Sequence, residues 1–200
     1  AAAQDAASGL GGLSAERVRD EWFKALRTAG DVRELVRLWR DVGAAEVWLP
    51  GLLPDPPASL SSPPRDPVLL TCALVPDPVA ILRRLRGSNA EIARAELVTV
   101  ARGAPVEPGA AGARRWLARA GAAADDALRL WELAHGAPAP WAPDVAGVRA
   151  RREATARKDL AVTGADLLAA GLHGPVIGAT LDRLLERVLD DPSLNRRETL

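Results

Sequence analysis

Methionine and tyrosine are absent from this 200-residue chain, cysteine and phenylalanine occur once each, and only two of the 26 basic side chains are lysines, Lys24 and Lys158. Each scarcity excludes something. With Cys72 alone no disulfide can close within the chain, and a reducing, cytoplasmic compartment is expected. Cys72 lies in the apolar run 67–75, where a buried, inert thiol is expected rather than a nucleophile. That run is about half the length needed to cross a bilayer. Residues 1–13 lack the charged start and apolar centre of a signal peptide. A soluble protein with no membrane partner is expected. The missing methionine leads us to expect a fragment of a longer product, and 195–200 reads as a helix cap followed by an unfinished first turn.

Excess charge is missing too: 26 basic and 26 acidic side chains cancel. A protein that wraps nucleic acid usually carries surplus positive charge, so any RNA contact here must come from local basic stripes. Arginine dominates over lysine in a chain rich in alanine, glycine and proline, the pattern of a GC-rich coding sequence. Arginine abundance alone is therefore a weak guide to phosphate binding.

Catalytic signatures are absent. There is no strand with an Asp-x-Asp pair, no glycine-rich phosphate loop and no nucleophile elbow. His135 and His173 each adjoin a glycine, are expected in exposed loops, and have no partner at metal-ligand spacing. Asp125-Asp126 and Asp190-Asp191 are expected on solvated helix faces. No catalytic residue, metal ligand or cofactor site is assigned.

What the chain does contain is helical period. Hydrophobic residues make up 48% of it, enough for a buried core. Ser14 is expected to cap a helix with Val18, Trp22, Phe23 and Leu26 inward. Asp31, with Glu34 as capping-box partner, opens a second that buries Val32, Leu35, Val36, Trp39 and Val42 and stops at Gly43. Prolines break the chain over 50–67. Asp77 caps 78–86, and Ser88 with Glu91 forms a capping box for a helix to about residue 100. Residues 97–100 are β-branched enough to read as a strand, without a partner. Residues 110–120 and 124–134 read as a helix pair, 149–158 as a basic helix, and 163–170 as a short helix capped by Thr163 with Asp166. Pro175 opens the clearest helix, with Ile177, Leu181, Leu184, Leu185 and Val188 on one face. The expected fold class is all-α.

Three features suit RNA. Arg33, Arg37 and Arg40 share the side of the second helix opposite its apolar face, although for such a stripe taken alone a solvated amphipathic helix is the better explanation. Arg149, Arg151, Arg152, Arg157 and Lys158 form a basic run that could neutralise phosphates. The turn 171–174 with Pro175 and Gly178 makes a helix start whose free N–H groups attract phosphate, Gly178 permitting close helix approach. Helix-hairpin-helix modules that hold nucleic-acid backbones share this construction; tight helix packing explains the glycines as well.

Three segments together resemble the bacterial tRNA nucleotidyltransferase and poly(A) polymerase family. Residues 14–26 are similar to its neck motif, at Ser14, Glu16, Arg17, Glu21, Lys24 and Leu26. Residues 82–91 resemble the body's arginine-leucine, Ser-Asn-Ala-Glu signature. Residues 159–168, 174–178, 188–189 and 195–200 follow its tail in residue type and spacing. The resemblance spans most of 14–200 apart from the proline-rich loops.

It implies a neck over 1–48 with RNA-binding helices, a helical body over 49–145 and a tail over 146–200, without the catalytic head. Metal-binding carboxylates, Mg and the CTP/ATP pocket would belong to that head, so this chain alone is expected to be inactive. Ser14, Glu16, Arg17, Glu21 and Lys24 would be structural supports bracing the nucleotide pocket, with Arg17 placed to pair with Glu21. Body and tail would hold the acceptor arm and elbow of tRNA. The tail favours the CCA-adding branch over the poly(A) polymerase branch. Alternatives are a stand-alone helical nucleic-acid-binding adaptor, the RNA-binding part of a poly(A) polymerase, and a purely structural helical piece.

Overall fold

A computed structural model describes residues 12–200, and within them every regular element is helical, with no strand. The fold class is all-α. The chain divides into two compact units. One comprises the described residues up to Arg102 together with Ala122–Ala139, the other Gly103–Gly121 with Pro140–Leu200.

The first unit is built around the apolar run that holds the single cysteine. It forms helix α4, Pro67–Leu74, after α1 (Ala15–Thr28), α2 (Val32–Asp41) and α3 (Ala44–Trp48). Asp66 accepts from Leu69 N–H at its start and proline takes the first helical position, where its missing N–H costs nothing. Six of its eight residues are buried, and a helix apolar all round belongs at the centre of a unit. It packs against α1, α6 (Asn89–Ala101) and α8 (Ala124–His135). Thr71, fully buried, accepts from Trp22 Nε1 at 3.0 Å and donates to the Pro67 carbonyl at 2.7 Å. Every polar atom of that buried contact is satisfied. Helix α5 (Pro78–Arg84), capped by Asp77, packs on α6. Ser88 and Glu91 close the expected capping box, and 97–100 continue helix α6 instead of forming a strand.

Several expectations change in this unit. Gly43, at φ 73°, does not simply stop α2 but caps the start of α3. Asp31 accepts from Arg33 N–H at 2.8 Å and holds the Arg33 guanidinium at 2.7 Å, so the cap closes on Arg33 rather than on Glu34. Of the expected α2 face only Val32 and Val36 are buried, while Val42 is 40% exposed. His135 ends α8 rather than lying in a loop, and its ring stacks on Trp131 at 3.7 Å. Asp126 is not a solvated carboxylate: with Asp66 it holds Arg94 between 2.6 and 2.7 Å.

The second unit holds α7 (Gly109–Ala120), α9 (Ala142–Ala150), α10 (Gly164–Ala169) and α11 (Pro175–Asp190). Helix α7 packs on α9 and α11, and Trp116 meets Trp141 edge-on at 6.2 Å. Ala154, Leu160, Val162, Leu184 and Val188 form a core against which Leu181, Leu185, Leu194 and Leu200 pack. The expected pair of α7 and α8 is divided between the two units. The expected basic helix over 149–158 is also replaced. Helix α9 ends at Ala150, Arg152 takes a left-handed φ of 53°, and a 3-10 turn, Arg157–Asp159, follows. Asn195 does not cap its own turn. Its side-chain oxygen accepts from Ala161 N–H at 2.7 Å and its amide donates to the Asp159 carbonyl at 2.9 Å.

Candidate nucleic-acid interface

The neck-like residues sit on α1, a helix made regular by Ser14, whose hydroxyl accepts from Arg17 N–H at 3.3 Å. Val18, Trp22, Phe23 and Leu26 recur at helical spacing and are buried, which turns the charged residues outward. Glu16 reaches Arg86 at 3.4 Å, and Arg19 donates to the Arg86 carbonyl at 3.0 Å. Glu21 pairs with Lys24 at 4.0 Å, not with Arg17 as the spacing suggested. Arg17 and Glu21 instead border an apolar groove of about 640 Å³ lined by Val18, Leu38, Trp39 and Val42 among others.

On α2, the stripe of three arginines is only partly available. Arg33 is bound to Asp31, whose carboxyl is held below its usual range chiefly by that hydrogen bond. Arg40 donates to the Leu52 carbonyl at 3.4 Å. Arg37 is exposed.

The basic run of the second unit separates into residues with different duties. Arg149 lies in the last turn of α9. Arg151 donates to Glu153, which also receives Arg114 at 2.8 Å. Arg157 makes a two-pronged pair with Asp182 of α11, and that hydrogen bonding raises its pKa. Arg152 and Lys158 are exposed. Arg151 and Arg157 are thus already matched by carboxylates.

Thr163 and Asp166 form the expected capping box, holding the Asp166 carboxyl below its usual range through the Thr163 N–H first and the Thr163 hydroxyl second. Gly171 and Gly174 have φ of 92° and 60°, values that glycine alone adopts without strain. Gly174, Pro175 and Val176 are exposed at the start of α11. Gly178 does not serve close helix packing. A Cβ there would meet only the Arg157 guanidinium, at 3.8 Å, whereas one on Gly164 would press Ile177 at 3.3 Å. Arg157 is therefore brought to the start of α11 as expected, but already neutralised by Asp182.

Arg114 was not singled out by its sequence context, a run of alanine and glycine with no charge pattern. Buried at 5% exposure, it donates to the carbonyls of Leu189 and Asp190 and to Glu153. Among the described residues no group of three or more His, Cys, Asp or Glu side chains is gathered as a metal site requires, and no helix is long and apolar enough to cross a membrane. Comparison with protein-family models, characterised proteins and solved structures finds no match for this chain.

Proposed function

We propose that this chain is the tRNA-binding neck, body and tail portion of a CCA-adding tRNA nucleotidyltransferase. The reading comes from the resemblance, and one structural observation carries it furthest: residues of its signatures bond to one another. Glu16 and Arg19 of the neck-like helix meet Arg86 of the body-like segment, 67 positions along the chain from Arg19. Asn195, at the end of the tail-like segment, clasps Asp159 and Ala161 at its beginning. Ser88 with Glu91 and Thr163 with Asp166 close capping boxes at the same signatures. Such residues hold helices at set angles, which suits recognition of a large RNA by shape more than by base sequence.

The resemblance assigns nucleotide addition, with Mg and CTP/ATP, to a head outside these residues, and no chemical step is derived for this chain. RNA contact falls to exposed cations, Arg37, Arg152 and Lys158 foremost, and to the start of α11 at Gly174 and Pro175. Arg33, Arg40, Arg151 and Arg157 contribute mainly by positioning.

Filter binding with a tRNA transcript lacking its 3′ CCA, against an unstructured RNA of equal length, tests the reading. The tRNA should bind more tightly, with affinity falling steeply as salt rises, and CTP, ATP and magnesium should give no extension. Equal affinity for both RNAs would refute recognition by shape, and reproducible extension would refute the assignment of chemistry to a separate head.

A further inference from the structure

Two non-glycine residues of the described chain have a positive φ, and both are arginines: Arg86 and Arg152, each at 53°. They occupy the same structural position. Helix α5 ends with Arg86 N–H on the Arg83 carbonyl and Gly87 N–H on the Leu82 carbonyl. Helix α9 ends with Arg152 N–H on the Arg149 carbonyl and Glu153 N–H on the Val148 carbonyl. This is the helix-stop motif whose left-handed residue is ordinarily glycine, because a Cβ is strained there.

A strained position occupied by a residue other than glycine calls for a compensating use of its side chain. Arg86 has one, since its guanidinium reaches Glu16 at 3.4 Å. Arg152 has none within the described chain: its side chain is exposed and makes no ion pair or hydrogen bond, while its neighbour Arg151 is bound to Glu153, which also receives Arg114. The turn that carries Arg152 is anchored by the buried Arg114–Glu153 contact, and the unpaired guanidinium projects from that anchored turn. Guanidinium geometry matches a phosphate's paired oxygens.

We infer that Arg152 is a dedicated contact for a phosphodiester of an RNA backbone, retained in a left-handed turn at a cost in stability. The inference rests on the RNA-binding reading and sharpens it, because it separates Arg152 from Arg151 and Arg157, which are matched internally.

The test uses a substitution that should improve the fold while harming binding. Arg152→Gly relieves the strain and should raise the unfolding midpoint by about 2–4 °C. It should weaken tRNA binding about tenfold at low salt and lower the salt slope by about 0.7 to 0.9. Arg152→Lys should keep most of the slope. Arg129→Ala, which removes an exposed arginine already paired with Glu132, should leave affinity and salt slope unchanged. A 12-base-pair RNA duplex serves as a second probe, offering phosphates without tRNA shape. Tight tRNA binding that Arg152→Gly leaves unaltered would overturn this inference alone. Duplex binding that depends on Arg152, without preference for tRNA, would support it and overturn the tRNA reading. No binding of either RNA would overturn both.

Discussion

Replacing Arg114 by alanine removes the donor that closes the C-terminal end of α11. In the native chain its guanidinium gives 2.7 and 3.0 Å hydrogen bonds to the carbonyls of Leu189 and Asp190 and a 2.8 Å bond to Glu153. The last carbonyls of a helix have no partner within it; here Arg114 satisfies two of them, and both it and its acceptor Glu153 are nearly dry, at 7% and 10% exposure. Removing one member of a buried pair costs about 3–5 kcal/mol, because the other charge is stranded. Glu153 keeps Arg151, so the lower end applies, about 3 kcal/mol. At about 2–4 °C per kcal/mol for a chain of this size, the midpoint should fall by about 6–12 °C. Circular dichroism at 222 nm during heating, with urea titration alongside, reads this directly. Arg114→Lys should fall between, since an ammonium lacks the fork that serves two carbonyls at once. A loss below about 1 kcal/mol for Arg114→Ala would refute the reasoning, as it would equate this contact with an exposed ion pair. The pair also sets a pH signature. Burial alone would raise the Glu153 pKa, but hydrogen bonds from Arg151 and Arg114 outweigh it and hold the group below its ordinary 4.5. A depressed carboxylate contributes stability that is complete above its unfolded pKa and lost as pH falls through the folded one. Glu153→Gln should therefore lose stability relative to the parent above pH 4.5, with the gap closing in more acidic solution.

Ser88→Ala should cost about 1 kcal/mol in urea unfolding by opening the capping box of α6, and an unchanged midpoint would show the box to be idle. Gly112→Ala sets helix propensity, worth about 1 kcal/mol in alanine's favour, against a Cβ placed 1.7 Å from the Glu107 carbonyl oxygen. The clash should win with a net loss of about 1–3 kcal/mol, and a stabilised variant would refute the path of 103–108 over α7. Burial pushes the Cys72 thiol up to about 11, so a thiol reagent at pH 8 should label native protein slowly and denatured protein quickly; equal rates would place Cys72 at the surface.

Caps were the most legible part of the chain. Ser14, Asp31, Asp77, Ser88 and Thr163 each accept a backbone N–H two or three residues ahead, and such contacts need no information from elsewhere. The stop of α9 was illegible for the converse reason. Its motif normally announces itself with glycine, and Arg152 hid it inside what looked like a continuous basic helix. Gly178 misled in the opposite direction, since glycine marks available space without saying what fills it, and what lies nearby is Arg157. The basic run was visible as residues, but their availability was not, because the matching carboxylates include Asp182, 25 positions from Arg157.

The sequence by itself determined the all-α class and most helix starts, because period and capping act over three or four residues. It also placed Cys72 in an apolar run without a partner thiol, and the structure made that run a helix. Tertiary structure alone decided that α8 joins the first unit while α7 joins the second, since burial of Leu130 and Leu133 depends on surfaces brought together from distant segments. It decided, too, which arginines are spent on the fold and which are exposed. A guanidinium's partner is chosen by proximity in space, and nothing in the local spacing of Arg114, Arg152 or Arg157 distinguishes a buried clamp from an open cation or a neutralised pair.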